Sequence, residues 1–372
     1  MSSGNAAGKR GPRHEDALCS GGKNICRHDS LQRSCRVNHS VGCKVLLIGL
    51  WLLSSSCKAR EQCRLADPSC NLSASILFLP RATQDWLIMV GNTGVVYYSA
   101  DLGKTWSAGV SGISDNLVGV AYAGNNRWVA VGTSDRMLYS DDGGATWKPA
   151  ATGSSGVNHQ ALAVGNGTML AVGTVASVYT SQDGGVNWSS TVSPIAAVKN
   201  NADFACGRFI YASNAQVAYS ADGANGTLSG ALPSFPTGKA ACTGSRIVMA
   251  TGGAPFAHYS DDLGFNWTAG GAGIGTIRRA IRLLGTQLLA FGDDTFVYTS
   301  TNAGAWSAAT TAPAGSIKDA VAVDSQRMIV TGGGGTATVF YTENGAQTWT
   351  SVGGFPAVPF TAIAYGRLSV GP

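Results

Sequence analysis

The sequence predicts an all-β chain folded as a seven-bladed β-propeller, with about 40 residues per blade, and three observations predict it. A tyrosine recurs at Tyr98, Tyr139, Tyr179, Tyr219, Tyr259, Tyr298 and Tyr341, at spacings of 41, 40, 40, 40, 39 and 43. Each is followed by a turn-like segment closed by an aromatic, at Trp106, Trp147, Trp188, Trp267, Trp306 and Trp349, with Leu228 in the fourth slot. Finally, the 372 residues include 50 glycines, and only 13 % are charged, against about 25 % in ordinary globular chains. Such a composition suits many short strands and turns and excludes a coiled coil or a charge-rich disordered chain. Repeats of this length in a β-rich chain are read as blades, one four-stranded sheet each.

The second repeat shows the element order. Residues 117–123 (LVGVAYA) form the innermost strand, and a turn follows at Gly124-Asn125-Asn126. Residues 128–132 form the second strand and Met137–Ser140 the third; Asp141–Thr146 is the next turn, and Trp147 starts the edge strand. Inner strands are small and apolar because blades taper towards an axis. No stretch sustains a 3.6-residue period, so helix content is expected to be very low. Residues 359–371 repeat the first two strands of a blade and stop, and 74–80 (ASILFLP) reads as a poor inner strand. The C-terminal segment is therefore expected to pair with N-terminal strands and close the ring, which removes open sheet edges. Eight blades is the alternative count.

The formal net charge of +5 and the nine cysteines belong mostly to the beginning of the chain. Residues 1–71 carry eleven Lys/Arg and five Asp/Glu, hence +6, and seven of the cysteines; the other 301 residues carry fifteen and sixteen, hence −1. The basic overall balance thus gives no support to nucleic-acid binding by the repeats. Residues 1–44 read as a basic, Cys-rich extension, disordered or translated from a misassigned start. Their His14, Cys19, Cys26, His28, Cys35, His39 and Cys43 lack the close Cys pairs of a zinc site. Residues 45–59 hold a nine-residue apolar run (VLLIGLWLL) after Lys44, too short to span a bilayer and suited to an export signal. Cleavage after Ala59 is one reading, and a lipid anchor on Cys57 the other. Residues 60–73 form a linker to the propeller of 74–372. Export is the expected location.

The turn has the pattern S-x-D-x-G-x-T-W at Ser99…Trp106 and Ser140…Trp147, and Asn takes the Thr position in Ser181…Trp188 and Ser260…Trp267. This resembles the Asp-box, or bacterial neuraminidase repeat, and the chain resembles Asp-box propellers over essentially all of 74–372. Asp101, Asp142, Asp183, Asp222 and Asp262, with Asn302 and Asn344 in degenerate copies, are read as structural. Asp or Asn accepts backbone N–H bonds in the turn, and glycine supplies the positive φ. The resemblance implies that these turns lie on the face opposite a ligand site. It also implies sialidase chemistry, which in that family needs an arginine triad, a tyrosine nucleophile with a Glu partner and an Asp acid/base, and usually has an R-I-P motif near the start. No R-I-P occurs, and Glu343 is the single glutamate in 72–372, so that chemistry is disfavoured. The chain also resembles photosystem II assembly-factor propellers at the level of G-x-x-G and D-G-G-x-T-W, a likeness that implies a protein-docking basic patch.

Two columns of cations stand out. His159, Lys199, Lys239, Arg278 and Lys318 start the innermost strands at spacings of 40, 40, 39 and 40, with Arg279 and Arg282 beside them. They are expected to rim the channel on the face opposite the boxes, either as an electropositive funnel for an anionic ligand or as a rim neutralised by Asp203 and Asp319. The second column, Arg127, Arg208, Arg246, Arg327 and Arg367, opens second strands on the Asp-box face, where arginine can pair with box carboxylates. Asp135, Asp293 and Asp294 lie in second-to-third-strand loops and are the alternative catalytic carboxylates of an Asp-pair glycoside hydrolase. No cofactor, metal site or Ser-His-Asp constellation is expected, and Cys206 and Cys242 are read as buried free thiols, with a disulfide as the alternative on export. The main reading is an exported, non-catalytic propeller, monomeric by default, binding a glycan or protein on its channel face. A glycoside hydrolase and an assembly or adaptor scaffold are the alternatives.

Overall fold

The computed structural model describes the backbone of 27–29 and 32–34, and residues 82–153, 155–230, 236–276, 278–309, 313, 315–333 and 338–370. The chain divides into two compact units, Met1–Pro80 and Arg81–Pro372. In the first, Arg27–Asp29 and Gln32–Ser34 pair antiparallel. The expectations for the basic extension, the apolar run, Cys57 and the inner strand at 74–80 lie outside the described residues.

The second unit is built almost entirely of antiparallel strands; the helical segment among its described residues is the three-residue turn Asn92–Gly94. Its strands form five four-stranded sheets and one of eight. The eight-stranded sheet is two four-stranded meanders joined by a single parallel bridge, Lys239 opposite Ala280. Seven meanders result, each running outwards from an inner strand. The inner strands, from second to seventh meander, are Leu117–Gly124, His159–Gly165, Asn201–Ala205, Pro236–Thr243, Arg278–Leu284 and Ile317–Ala322.

The first meander is assembled from both ends of the unit. Phe360–Val370 is its inner strand and lies antiparallel to Ala82–Gly91, in a register running from Ala82 opposite Val370 to Gly91 opposite Phe360. Val96–Ser99 and Ser107–Gly109 follow outwards. Terminal closure is thus as expected, but 360–370 is one eleven-residue strand rather than two. Its partner, Ala82–Gly91, serves as the second strand of the meander. Inner strands touch their successors around the set, and Phe360–Val370 touches both Ile317–Ala322 and Leu117–Gly124.

Second strands such as Arg127–Gly132 and Thr168–Gly173 are apolar without alternation and buried along most or all of their length. This is the pattern of a strand covered on both faces. The core accordingly divides into seven clusters, each between successive meanders, including one between the seventh and the first around Leu87, Met89, Ile329 and Phe360. In six of them a box tryptophan packs into the cluster, for example Trp147 beside Ala130 and Ile88. The exception lies between the third and fourth meanders, where the box offers Leu228 instead. There the second strand carries Tyr211, fully buried, at the position held by Ala130, Ala171, Met249 and Ala290 in other repeats. A large residue from below fills the space that a tryptophan fills elsewhere from the turn. Gly226 is required above it, since a Cβ there would collide with the Tyr211 hydroxyl.

Cys206 and Cys242 differ from the free-thiol expectation. They form a disulfide, with Cα atoms 5.2 Å apart, and are half-buried rather than buried. Both sit at the outer ends of inner strands of adjacent meanders, so the two-position offset between repeats brings the thiols together across the seam. Replacing Tyr211 by Ala is expected to cost about 3–5 kcal/mol, the range for emptying a buried aromatic site. Urea unfolding measures it, and a loss under about 1 kcal/mol would mean that the site collapses without its aromatic.

Candidate functional site

The box turns are closed hydrogen-bond units. In the first, the Ser99 hydroxyl donates to Asp101 Oδ1 at 2.8 Å and accepts from Gly103 N at 2.9 Å. Asp101 also accepts from Thr105 N and from the Thr105 hydroxyl, at 2.9 and 2.6 Å, and Trp106 Nε1 donates to Gly103 O at 2.9 Å. Asp142, Asp183 and Asp262 repeat the arrangement, and Asn302 and Asn344 accept through their amide oxygens. Burial works against ionisation of Asp101, but the bonds from Thr105 and Ser99 outweigh it and hold the carboxyl below its ordinary value. At Asp222 the backbone bond from Asn225, with further donors, brings the pKa to about 2. These carboxylates are occupied by their own turns.

The column expected at the channel rim is mostly interior. His159, Lys199 and Arg278 are fully buried, because the inner strand begins beneath the loops of its own and the preceding repeat. Lys199 Nζ donates to four carbonyl oxygens, those of Val175, Ala176, Ile195 and Ala197, at 2.7–3.2 Å. Burial lowers its pKa to about 8, so the ammonium is still charged at neutral pH. His159 stands edge-on to Tyr179 with neither ring nitrogen partnered. Arg278 donates to Thr276 O, to Phe296 O and to Asp294 at 2.6 Å, and lies over the Tyr298 ring.

The remaining cations converge on carboxylates. Arg282 reaches Asp203 and Asp319, each at 3.2 Å, and the carbonyls of Ala240, Ile281 and Ala320. Lys239 meets the fully buried Asp319 at 2.6 Å. Asp319 also accepts from Ile363 N in the C-terminal strand, and Asp203 from Ala240 N. Two cations and two anions from the fourth to seventh meanders thus form a neutral hub that also reaches the first. Arg279 and Lys318 share Asp293, at 2.5 and 2.7 Å. No side chain of the column is left as a free positive charge.

The alternative catalytic carboxylates are similarly engaged. Asp135, at φ 60°, accepts from Val157 N at 2.8 Å and from Gly156 N, tying two loops together. Burial would raise Asp293, but Arg279 and Lys318 hold it well below the carboxylate range, and Arg278 and Thr276 likewise lower Asp294 against its burial. A hydrolytic pair needs one carboxyl protonated at working pH, whereas the ion pairs at Asp293 and Asp294 favour their ionised forms. Among the described residues no group of three His, Cys, Asp or Glu side chains gathers as a metal site, and no helix is long and apolar enough to cross a membrane.

On the Asp-box face, Arg127 pairs with Asp141 at 2.7 Å, Arg246 with Asp261 at 2.6 Å, Arg327 with Asp324 at 2.6 Å and Arg367 with Asp85 at 3.2 Å. Arg208 differs, because Ala221 stands where Asp141 and Asp261 follow the box serine. The column was visible in the sequence, and so was this substitution; reading the two together required the strand pairing.

Residues 76–221 match the family described as photosynthesis system II assembly factor YCF48. No curated protein matches the chain in sequence. Among solved structures it is similar to one described as YCF48 bound to D1 peptide, at 14 % identity and a TM-score of 0.52, covering 74 % of this chain and 84 % of that one. It is also similar to YCF48 from Cyanidioschyzon merolae, at 16 % identity and a TM-score of 0.50, covering 63 % and 84 %. With the repeats and sheets above, these matches make the second unit a β-propeller of the BNR-repeat type, similar to the assembly-factor propellers.

A pH dependence follows from the buried imidazoles. Burial lowers His159 and His258 from 6.5 to about 4, so on acidification the unfolded chain takes up these protons first. The stability carried by the neutral rings is full above pH 6.5 and is lost as pH falls towards 4. The melting temperature is expected to fall across that window, and less steeply in His159→Leu. Parallel profiles for the two proteins would show that His159 does not titrate there.

Proposed function

We propose that the chain is a seven-bladed propeller that acts as a non-catalytic adaptor, holding a segment of a partner protein. The observation that carries this reading is the engagement of every channel-side carboxylate described above by a cation or a backbone N–H. That arrangement favours a rigid scaffold over an acid–base site. The seven meanders and the cyclic succession of inner strands support the blade count. The likeness to a propeller described as bound to D1 peptide supports a polypeptide ligand. An anionic glycan drawn into a positive funnel has weaker support, because the cations that would form the funnel are paired with Asp203, Asp293, Asp294 and Asp319 or caged by carbonyls. Export belongs to the proposal, supported by the apolar run at 45–53 and by the Cys206–Cys242 disulfide, a bond that persists in oxidising compartments.

The full chain is expected to release no chromophore from a panel of aryl glycosides that includes a sialoside. In-cell cross-linking with mass spectrometry is expected to recover a specific protein partner. Turnover of any glycoside that Asp293→Asn abolishes would overturn the adaptor reading in favour of the hydrolase.

A further inference from the structure

Among the described side chains of the second unit, Arg208 is the one lysine or arginine with neither an acidic partner nor a carbonyl acceptor; the others are paired or caged. Its surroundings can be read from the repeats that keep the full arrangement. Arg127 and Arg246 each pair with the aspartate after the box serine and lie over a third-strand tyrosine, Tyr139 or Tyr259. Each also donates to a carbonyl in the box of the next meander, Asp183 O or Asn302 O. The fourth meander keeps the arginine and the tyrosine, as the half-buried Arg208 and Tyr219, but replaces the aspartate with the exposed Ala221.

The box of the fifth meander, which faces this position, is also unusual. Leu263 stands there at φ 60°, as Leu102 does at φ 64° in the first box, but it is 37 % exposed where Leu102 is half-buried. Phe265 is 51 % exposed, with its ring edge-on to Tyr219 at 6.3 Å. Leu228, 40 % exposed, runs into Gly230, whose N–H donates to Phe265 O at 2.7 Å. Three of the seven exposed large apolar side chains among the described residues thus gather at the seam that follows the strand opened by Arg208. Arginine, aromatic and aliphatic groups in one place are the composition of an interface centre.

We propose that the seam between the fourth and fifth meanders, on the Asp-box face, docks an acidic segment of a partner protein. An Asp or Glu side chain of the partner takes the place left by Ala221 and pairs with Arg208, an arrangement suited to a guanidinium fork. An apolar residue flanking it covers Leu263 and Phe265. The inference rests on the protein-adaptor reading and gives it a site and a chemical class of ligand.

The test selects binders for the full chain from a displayed library of random dodecapeptides. Selected peptides are expected to carry Asp or Glu next to a Leu, Ile or Phe. Synthetic copies should lose about tenfold or more in affinity for Arg208→Gln and for Ala221→Asp, roughly one charge-assisted pair, while Arg127→Gln binds as the parent does. Ala221→Asp supplies internally the carboxylate present in the second and fifth meanders, so it should melt no lower than the parent; its loss of binding would then reflect occupancy of the site, not unfolding. Peptides without an acidic residue, or peptides that bind both seam variants as tightly as the parent, would overturn the site and leave the adaptor reading standing. Failure to select any peptide would count against both.

Discussion

The structure depends on a strand pairing made between the two ends of the propeller unit. Phe360–Val370 must lie against Ala82–Gly91, almost three hundred positions away in sequence, before the first meander has an inner strand. Every sheet here is apolar on both faces and is buried only by having a neighbour on each side. Without that pairing, the cluster around Leu87, Met89, Ile329 and Phe360 would be exposed. The seventh meander would lose its cover as well as the first. Asp319 links this closure to the interior, since the carboxylate that pairs with Lys239 and Arg282 also holds Ile363 N. Closure and the ionic hub therefore form together.

The hub also explains how the propeller uses its few charges. A carboxylate as buried as Asp319 is costly to desolvate unless charges and N–H groups surround it, and four donors do so. Lys199 solves the same problem with four carbonyls. Cations placed at the start of inner strands therefore hold neighbouring repeats together where backbones converge. A column of one sign in sequence becomes a set of ion pairs and carbonyl cages in space, because carboxylates and carbonyls from neighbouring segments reach it.

Much of this was legible in the sequence. The tyrosine and tryptophan spacing gave the repeat, the S-x-D-x-G-x-T-W pattern gave the turn chemistry, and Asp203 and Asp319 were already the natural neutralisers of the cation column. Burial was not legible: whether Lys199 or Arg278 faces a channel or lies beneath a loop depends on the paths of 174–176 and 293–297, and no periodicity fixes those paths. The disulfide stood only as the alternative to free thiols for a related reason. Cys206 and Cys242 are two positions out of register in the repeat, and only the stagger between adjacent inner strands brings their sulfurs together. Residues 76–221 carry the recognisable family pattern, while the later repeats keep the fold with degenerate turns. Packing tolerates those changes when another residue restores the volume.

The fourth repeat shows what such restoration permits. Its turn has lost the tryptophan that elsewhere packs into the cluster, and the aspartate that elsewhere neutralises an arginine. The first loss is met from inside the sheet by Tyr211, and the seam on the other side of the sheet is tied by Cys206–Cys242. The second loss has no internal remedy, so Arg208 keeps its charge on a face where its counterparts are paired. A repeat stabilised by its buried second strand and by a covalent link no longer depends on its own turn for stability. That turn and the box facing it are then free to vary in ways that stability alone would oppose, including an exposed leucine and an exposed phenylalanine. In a repeat protein, the copy that departs furthest from the shared turn while keeping its core is where recognition can be added at least cost to the fold.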